Sequence, residues 1–512
     1  MKKLFITTPI YYASGKPHIG HAYTTIMADI IAKYKRALGY EVFFLTGMDE
    51  HGQKIQETAK KNNKTIDELL YEVSSAFKQL WRDLNVDYDA FVRTTDPKHE
   101  QAVKRVFSML LEKNYVYLGE WKGLYCVSCE ENYTKDQATE KDGKLYCRVG
   151  HELSERSETT YFLKVSQFSD WIKQQWAQEY FIIPKTRITE LTHSFLDKGL
   201  EDLSITRQSR TWGIPTIENP GQVIYVWIDA LLSYLTGLGY LSDNDENFKK
   251  FWMDPETQIV HLMSKEITRF HCIYWPILLK MLGLRQPSHI ISHNWIVTKE
   301  GKMSKSLGNI INPYDVINRF GVDAFRYFIV RQISIEKDGV FSEEQFIETY
   351  NSHLANNYGN MATRLAGMLQ KYCDNVVPPL HEEALTEKDK AVKQAQEKLV
   401  TSSVEYIENF NINGLLNAIQ AQYDVLNKYI EDTKPWELAK DPNKRNQLEN
   451  HLNILFTSAI DLMTLQAPIL SRTSDVVETA FRIPLLADRM NKNWAGHRIN
   501  GIDPLFVRIE KK

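Results

Sequence analysis

The chain has 512 residues and a formal net charge of −3, with 43% hydrophobic and 25% charged residues. That balance excludes a largely disordered chain and a global positive field, so any nucleic-acid face must be a local patch. At roughly 150 residues per domain the length predicts several domains, which favours a large enzyme over a single binding module.

Met1-Lys2-Lys3-Leu4-Phe5-Ile6 has the basic start of a signal peptide, but Thr7, Thr8 and Pro9 interrupt the apolar run, so it reads as a first strand. No stretch approaches the roughly 20 apolar residues that span a bilayer, and no membrane association is expected. The run from Leu4 to Tyr12, a turn through Ser14-Gly15-Lys16-Pro17, and Ile26, Met27, Ile30, Ile31 and Tyr34 at helical spacing predict a first βα unit. Gly39 closes that helix, and Glu41 to Gly47 reads as a second buried strand. Asp49-Glu50-His51-Gly52 follows at its carboxyl end, where ligands gather in open α/β sheets.

Between about 117 and 225 the texture changes to short strands with Gly, Cys and charged turns, the signature of an insertion. Of five cysteines, Cys126, Cys129 and Cys147 cluster there while Cys272 and Cys373 stand alone. An odd, clustered set argues against a secreted disulfide framework and for a reducing, cytoplasmic location. The α/β pattern resumes at Val223-Ile224-Tyr225-Val226-Trp227 and at Gln258 to Met263, predicting a second half-sheet. From 351 onward the pattern is helical: Gly414 is the only glycine between 368 and 495, and Leu415, Ile419, Leu426 and Ile430 recur near helical spacing. The expected architecture is an α/β, Rossmann-type doubly wound parallel sheet split by a connective insertion and followed by an all-α helix bundle. The expected boundaries are 1–116 and 226–295 for the two half-sheets, 117–225 for the insertion, 296–350 for a lysine loop and its continuation, and 351–512 for the helices.

His18-Ile19-Gly20-His21 falls where a strand gives way to a helix, which turns backbone N–H groups and the positive helix end toward a bound phosphate, with two imidazoles flanking it. Taken alone the motif also reads as a histidine pair capping a helix. Lys302-Met303-Ser304-Lys305-Ser306 lies on a polar segment and, taken alone, reads as a solvated loop. Together, two ammonium groups and two imidazoles are suited to following negative charge onto a departing pyrophosphate. Cys126-Val127-Ser128-Cys129 with Cys147 and His151 offers three thiols and an imidazole, a donor set for structural Zn²⁺. Three residues separate Cys147 from His151, which makes the fourth ligand the least secure.

The HIGH and KMSKS pair resembles that of class I aminoacyl-tRNA synthetases, and Thr7-Thr8-Pro9-Ile10-Tyr11-Tyr12 with Thr46-Gly47-Met48-Asp49-Glu50-His51-Gly52 is similar to the methionyl-tRNA synthetase family, in its bacterial form with one zinc knuckle. The resemblance implies methionine between Ile10 and Tyr12 on one side and Trp227, Ala230, Tyr234, Ile267, His271 and Trp275 on the other, with Asp49 on its amino group. An unbranched thioether suits such an aromatic wall, although each aromatic also reads as core. The resemblance further implies Glu266 on the ATP ribose, His18 and His21 on the phosphates, Lys302 and Lys305 on the leaving pyrophosphate, and Mg²⁺ with the nucleotide. In the helical region it implies anticodon reading by Asn360, Arg364 and Trp436 on tRNA(Met), initiator and elongator alike, by base-edge hydrogen bonds and stacking.

The implied reaction is methionyl-adenylate formation and then acyl transfer to the terminal adenosine of tRNA. A synthetase for leucine, isoleucine or valine would carry a larger editing insertion, a simpler nucleotidylyltransferase would not need the helical half, and a dead relative would not need both histidines and both lysines. The chain end at Lys512, without an appended domain, leads to the expectation of a monomer.

Overall fold

The structure is a computed structural model that describes every residue except 130, 134, 179, 180, 209–211, 299, 300, 303–309, 333, 334, 487, 489, 511 and 512. The chain forms two compact units: Met1–Ala28, Glu41–Arg82 and Val86–Asn294 in the first, and Asp29–Tyr40, Asp83–Asn85 and Trp295–Lys512 in the second. No described helix is long and apolar enough to cross a membrane.

The first unit is built on a parallel sheet. Strands β1 (Lys3–Tyr12), β2 (Glu41–Asp49) and β3 (Ala90–Arg93) form one half. Leu4, Phe5 and Ile6 are all fully buried, as a strand covered on both faces requires, so the run is continuous rather than alternating. Pro9 sits inside the register shift between Thr7 and Ile10, where the ladder tolerates a missing N–H. Beyond the shift Ile10 pairs with Gly47 and Tyr12 with Asp49, so the predicted ligand-binding residues of β1 and β2 emerge side by side. A Cβ on Gly47 would lie 2.2 Å from the Val92 carbonyl oxygen, which leaves only glycine at that position.

The insertion is dominated by the antiparallel pair β4 (Val116–Cys126) and β5 (Ser154–Leu163). It also returns a two-residue strand, β6 (Ile182–Ile183), to the edge of the parallel sheet. After it come β7 (Thr257–Ser264) and β8 (His289–His293), giving the order β3-β2-β1-β7-β8-β6 with every pairing parallel. The order reverses between β1 and β7, the kind of switch point at which ligands bind in open α/β sheets.

One predicted strand changes character. Of the Val223–Trp227 run only Val223 and Ile224 join a strand, Gln222–Ile224; it pairs antiparallel with Thr206–Gln208, outside the parallel sheet, and helix α1 (Val226–Thr236) starts two residues later. A short apolar run does not distinguish a strand from the first turn of a buried helix.

In the second unit, long helices run Asn360–Cys373, Glu387–Glu408, Ile412–Thr433, Arg445–Gln466 and Ser471–Phe481. Arg445–Gln466 is buried around most of its circumference, as a central bundle helix must be, and two of its inward asparagines bond to loop backbone. Asn450 exchanges hydrogen bonds with the backbone of His381 at 2.6 and 2.9 Å, and Asn453 donates to the Pro378 carbonyl at 2.7 Å. Fully buried Arg326 donates to the carbonyls of Leu84, Pro468 and Ile469 and, at 2.7 Å, to Asp29. These bonds tie Asp29–Tyr40 and Asp83–Asn85 into this unit.

Candidate active site at the carboxyl ends of the parallel strands

His18 and His21 stand at the start of the helix Ile19–Ala37, which follows β1. The His18 backbone N–H donates to Nδ1 of His21 at 3.1 Å, and the two rings lie 3.8 Å apart. Gly20 donates its N–H to Nδ1 of His18 at 3.1 Å, and a Cβ on it would approach the His18 ring to 2.9 Å. The glycine therefore makes room first for the imidazole of its own motif. Both rings are half-buried at a positive helix end, an arrangement that receives an anion.

Beside them, Ile10, Tyr12 and Asp49 leave the ends of β1 and β2, and the turn after β7 presents Glu266 and Ile267. α1 provides Trp227, Ala230 and Tyr234, spaced to share one stripe. Trp227 is half-buried and stacks on Phe270 at 3.8 Å and 5°. Tyr234 and His271 are buried, and the Tyr234 hydroxyl lies 2.7 Å from Nε2 of His271, whose Nδ1 lies 3.0 Å from the Ile267 carbonyl. A carbonyl only accepts, so Nδ1 carries the proton and the tyrosine donates to Nε2.

The same reasoning orders the next layer. Trp275 donates its indole N–H to Nε2 of His261 at 3.1 Å, which leaves the Nδ1 proton of His261 for Thr7 Oγ1 at 2.8 Å. Trp275 is fully buried and backs the wall, packed edge-on against Tyr234 at 5.8 Å. Burial pushes His271 down to about 4 and His261 well below the usual histidine range, so the wall is polar but uncharged at neutral pH.

Sequence reasoning missed the buried charges behind this wall. Asp229 accepts from His51 Nδ1 at 2.7 Å and from His99 Nε2 at 2.6 Å, and Glu50 is held by Arg93 at 2.8 Å and by Thr95. A lone aspartate inside Val-Trp-Ile-Asp-Ala-Leu-Leu was the available signal, since a buried carboxylate must be paired. His293, at the end of β8, was missed too; its Nε2 lies 2.7 Å from Thr24 Oγ1, and burial holds it down at about 4.

Cys126, Cys129, Cys147 and His151 converge, with ligand atoms all within 4.8 Å of one another. Tetrahedral Zn²⁺ with sulfur at about 2.3 Å and nitrogen at about 2.0–2.1 Å sets S–S edges of about 3.8 Å and S–N edges of about 3.6 Å. Cys129 Sγ lies 3.8 Å from Cys147 Sγ, and Nδ1 of His151 lies 3.3 and 3.7 Å from those two sulfurs. The donor set therefore fits zinc, including the histidine whose spacing made it least secure. Gly150, at φ +89°, turns the chain so that His151 comes back onto Cys147. Hydrogen bonding to Cys126 and Cys147, then burial and the charge of the neighbouring sulfurs, hold the proton on the Cys129 thiol, a preference that a bound cation reverses by favouring thiolate. The knuckle also reaches the strand ends: Arg148 donates to the Glu266 carbonyl at 3.0 Å and Lys54 to the Ser128 carbonyl at 3.3 Å.

Lys302 ends a two-residue strand paired with Val297, while Lys305 lies outside the described residues. In the second unit Asn360 and Arg364 lie one turn apart at the start of Asn360–Cys373, and Trp436, on the short helix Pro435–Leu438, is 41% exposed.

Residues 4–366 match the family described as tRNA synthetases class I (M). A methionine–tRNA ligase of Ureaplasma parvum serovar 3 is 49% identical over 99% of this chain and 98% of its own, and one of Mycoplasma pneumoniae is 42% identical over 100% of both. Among solved structures, Mycobacterium tuberculosis methionyl-tRNA synthetase in complex with methionyl-adenylate superposes with a TM-score of 0.94 at 32% identity, covering 99% of this chain and 100% of that one. With the motif order, the strand-end site and full-length similarity in agreement, the chain belongs to the methionyl-tRNA synthetase family of class I aminoacyl-tRNA synthetases.

Proposed function

We propose that the chain ligates methionine to tRNA(Met), initiator and elongator alike, in two steps: the methionine carboxylate attacks the α-phosphate of ATP to give methionyl-adenylate and pyrophosphate, and the terminal adenosine hydroxyl of the tRNA then takes the acyl group. One observation carries this reading: the strand-end site, with its paired histidines, Asp49 and aromatic wall, lies in a chain that matches over its whole length a relative holding methionyl-adenylate.

Methionine lies against Tyr12, Trp227 and Tyr234, where its thioether gains roughly 0.3–1.5 kcal/mol from ring contacts, with Ile10, Ala230, Ile267 and His271 completing the pocket and Trp275 behind it. Asp49 orients the amino group by a charge-assisted bond. His18 and His21 hold the phosphates, Glu266 takes the ribose, and Lys302 and Lys305 stabilise the charge that develops on pyrophosphate. No side chain becomes covalently attached. Mg²⁺ bound with ATP supplies further neutralisation of the phosphates. Zn²⁺ in the Cys126, Cys129, Cys147 and His151 set is structural, with all four positions taken by protein. Asn360, Arg364 and Trp436 read the anticodon. The enzyme works in the cytoplasm as a monomer.

The assignment of the pocket is tested by Trp227→Ala in ATP–pyrophosphate exchange. Methionine KM is expected to rise at least tenfold while ATP KM stays within twofold; an unchanged methionine KM would place the pocket elsewhere.

A further inference from the structure

Behind the pocket, Asp229 has both carboxylate oxygens engaged by imidazoles, and Asp229, His51 and His99 are each at most 2% exposed. His99 continues through Nδ1 to Thr236 Oγ1 at 2.7 Å. Asp229 and Thr236 lie two turns apart on α1 and form one stripe, whereas Trp227, Ala230 and Tyr234 form another. One stripe faces the proposed methionine pocket, and the other is bonded to the two histidines. Fixing the second stripe sets the rotation and height at which the first is presented.

The partner histidine is fixed in turn. His51 follows Asp49 by two residues, and the turn between them is anchored from several segments. Glu50 N–H donates to Thr94 Oγ1 at 2.9 Å, the Glu50 carbonyl accepts from the Trp212 indole at 2.7 Å, and Gly52 N–H donates to the Trp212 carbonyl at 2.8 Å. We propose that Asp229 is a positioning residue for the methionine pocket: through both carboxylate oxygens it fixes the helix that carries Trp227, Ala230 and Tyr234 against the strand end that carries Asp49. The inference rests on the pocket assignment above, and Asp229 itself touches no substrate.

The charges support the geometry. Burial alone would lower His51, but Asp229 outweighs it and Glu100 and Asp49 add to the effect, holding the imidazolium up to about 10. The titratable or charged groups around His51 are Asp229 from α1, His99 and Glu100 from the helix Pro97–Glu112, and Asp49 and Glu50 from its own segment at and just after the end of β2. Arg93 reaches Glu50 from β3, and Asp67 and Tyr71 line the adjoining polar cleft with Glu100 and Trp212. Asp229 is thus the main anion keeping His51 charged.

The test is steady-state ATP–pyrophosphate exchange by the full chain, with methionine and ATP varied separately from pH 6 to 9 and thermal midpoints measured alongside. In Asp229→Asn, methionine KM is expected to rise at least tenfold with ATP KM within twofold, and to become pH-dependent as His51, released from its anion, titrates in that range. His51→Ala, which cuts the link from Asp229 to the strand end and leaves that to His99, is expected to raise methionine KM similarly. His51→Asn, whose amide sits where Nδ1 sits and still donates to Asp229, should return it to within threefold of wild type. Methionine KM within twofold of wild type in Asp229→Asn overturns the proposal; where that variant does not fold, the same result in His51→Ala does so. A fall in kcat with unchanged KM values, or equal rises for both substrates, also overturns it. If Trp227→Ala leaves methionine KM unchanged, the pocket assignment fails instead, separately from the role of Asp229.

Discussion

Tyr234→Phe isolates one hydrogen bond in the proposed methionine pocket. The tyrosine hydroxyl donates to Nε2 of His271 across 2.7 Å, while Nδ1 is committed to the Ile267 carbonyl at 3.0 Å. Burial holds His271 down at about 4, so at pH 7 its Nε2 is a neutral, buried acceptor with one donor facing it. Phenylalanine keeps the ring, including its 4.4 Å stacking on His261, and removes only the donor. A buried acceptor left without its donor costs about 1–3 kcal/mol. The wall relieves that cost by loosening, and methionine must then restore the order on binding. At about 1.4 kcal/mol per tenfold, methionine KM is expected to rise by about 5- to 150-fold, with ATP KM unchanged. The assay is ATP–pyrophosphate exchange with methionine varied at saturating ATP, and near-ultraviolet circular dichroism to show that the fold persists. A folded variant whose methionine KM stayed within twofold of wild type would refute the reasoning.

Four further outcomes follow from the structure and the proposed residue roles. Stability should peak near neutral pH in urea titrations. His271 and His293 are both held down at about 4, so their contribution, complete above about 6.5, is lost as pH falls through 4. His51, raised to about 10, contributes fully below about 6.5 and loses that contribution as pH rises through 10; each group gives at most about 1.4 kcal/mol per pH unit. A profile rising steadily from pH 6.5 to 10 would contradict this. Wild type should carry one zinc per chain by elemental analysis and Cys147→Ser less than half, with methionine KM rising in the variant because Arg148 no longer steadies the Glu266 turn; full zinc in Cys147→Ser would remove that cysteine from the site. Lys305→Ala should slow adenylate formation by about 10²–10³ in pre-steady-state assays, the scale expected for one transition-state donor, with methionine affinity retained; a loss under threefold ends that role. Trp436→Ala should raise tRNA KM by about 5- to 150-fold, a stacked base being worth about 1–3 kcal/mol, and leave exchange intact; equal loss in both assays would make the tryptophan structural.

Local pattern made the long elements legible. β1 and β2 are buried on both faces and announce themselves as apolar runs, and the step from strand to helix at His18 follows from the turn before it. β6 has two residues, too few for any periodicity, and its place beside β8 is fixed by chain return rather than by composition. The wall aromatics are all apolar positions to a sequence reader, yet Trp275 is fully buried behind the pocket while Trp227 is half-buried. The bonds of Asp229 to His51 and His99 span 178 and 130 residues, so no window of sequence contains them. Nor does a window contain Arg326 and Asp29, which bring part of the first long helix into the second unit. The zinc set lay between these cases: its ligand types were readable, but the return of His151 depended on the left-handed turn at Gly150.

The most direct test of the central claim is ATP–pyrophosphate exchange by the purified chain with each of the twenty standard amino acids in turn. Rapid exchange is expected with methionine, and at least a hundredfold less with leucine, isoleucine, valine and the rest. Exchange led by another amino acid, or none with any of them, would contradict it.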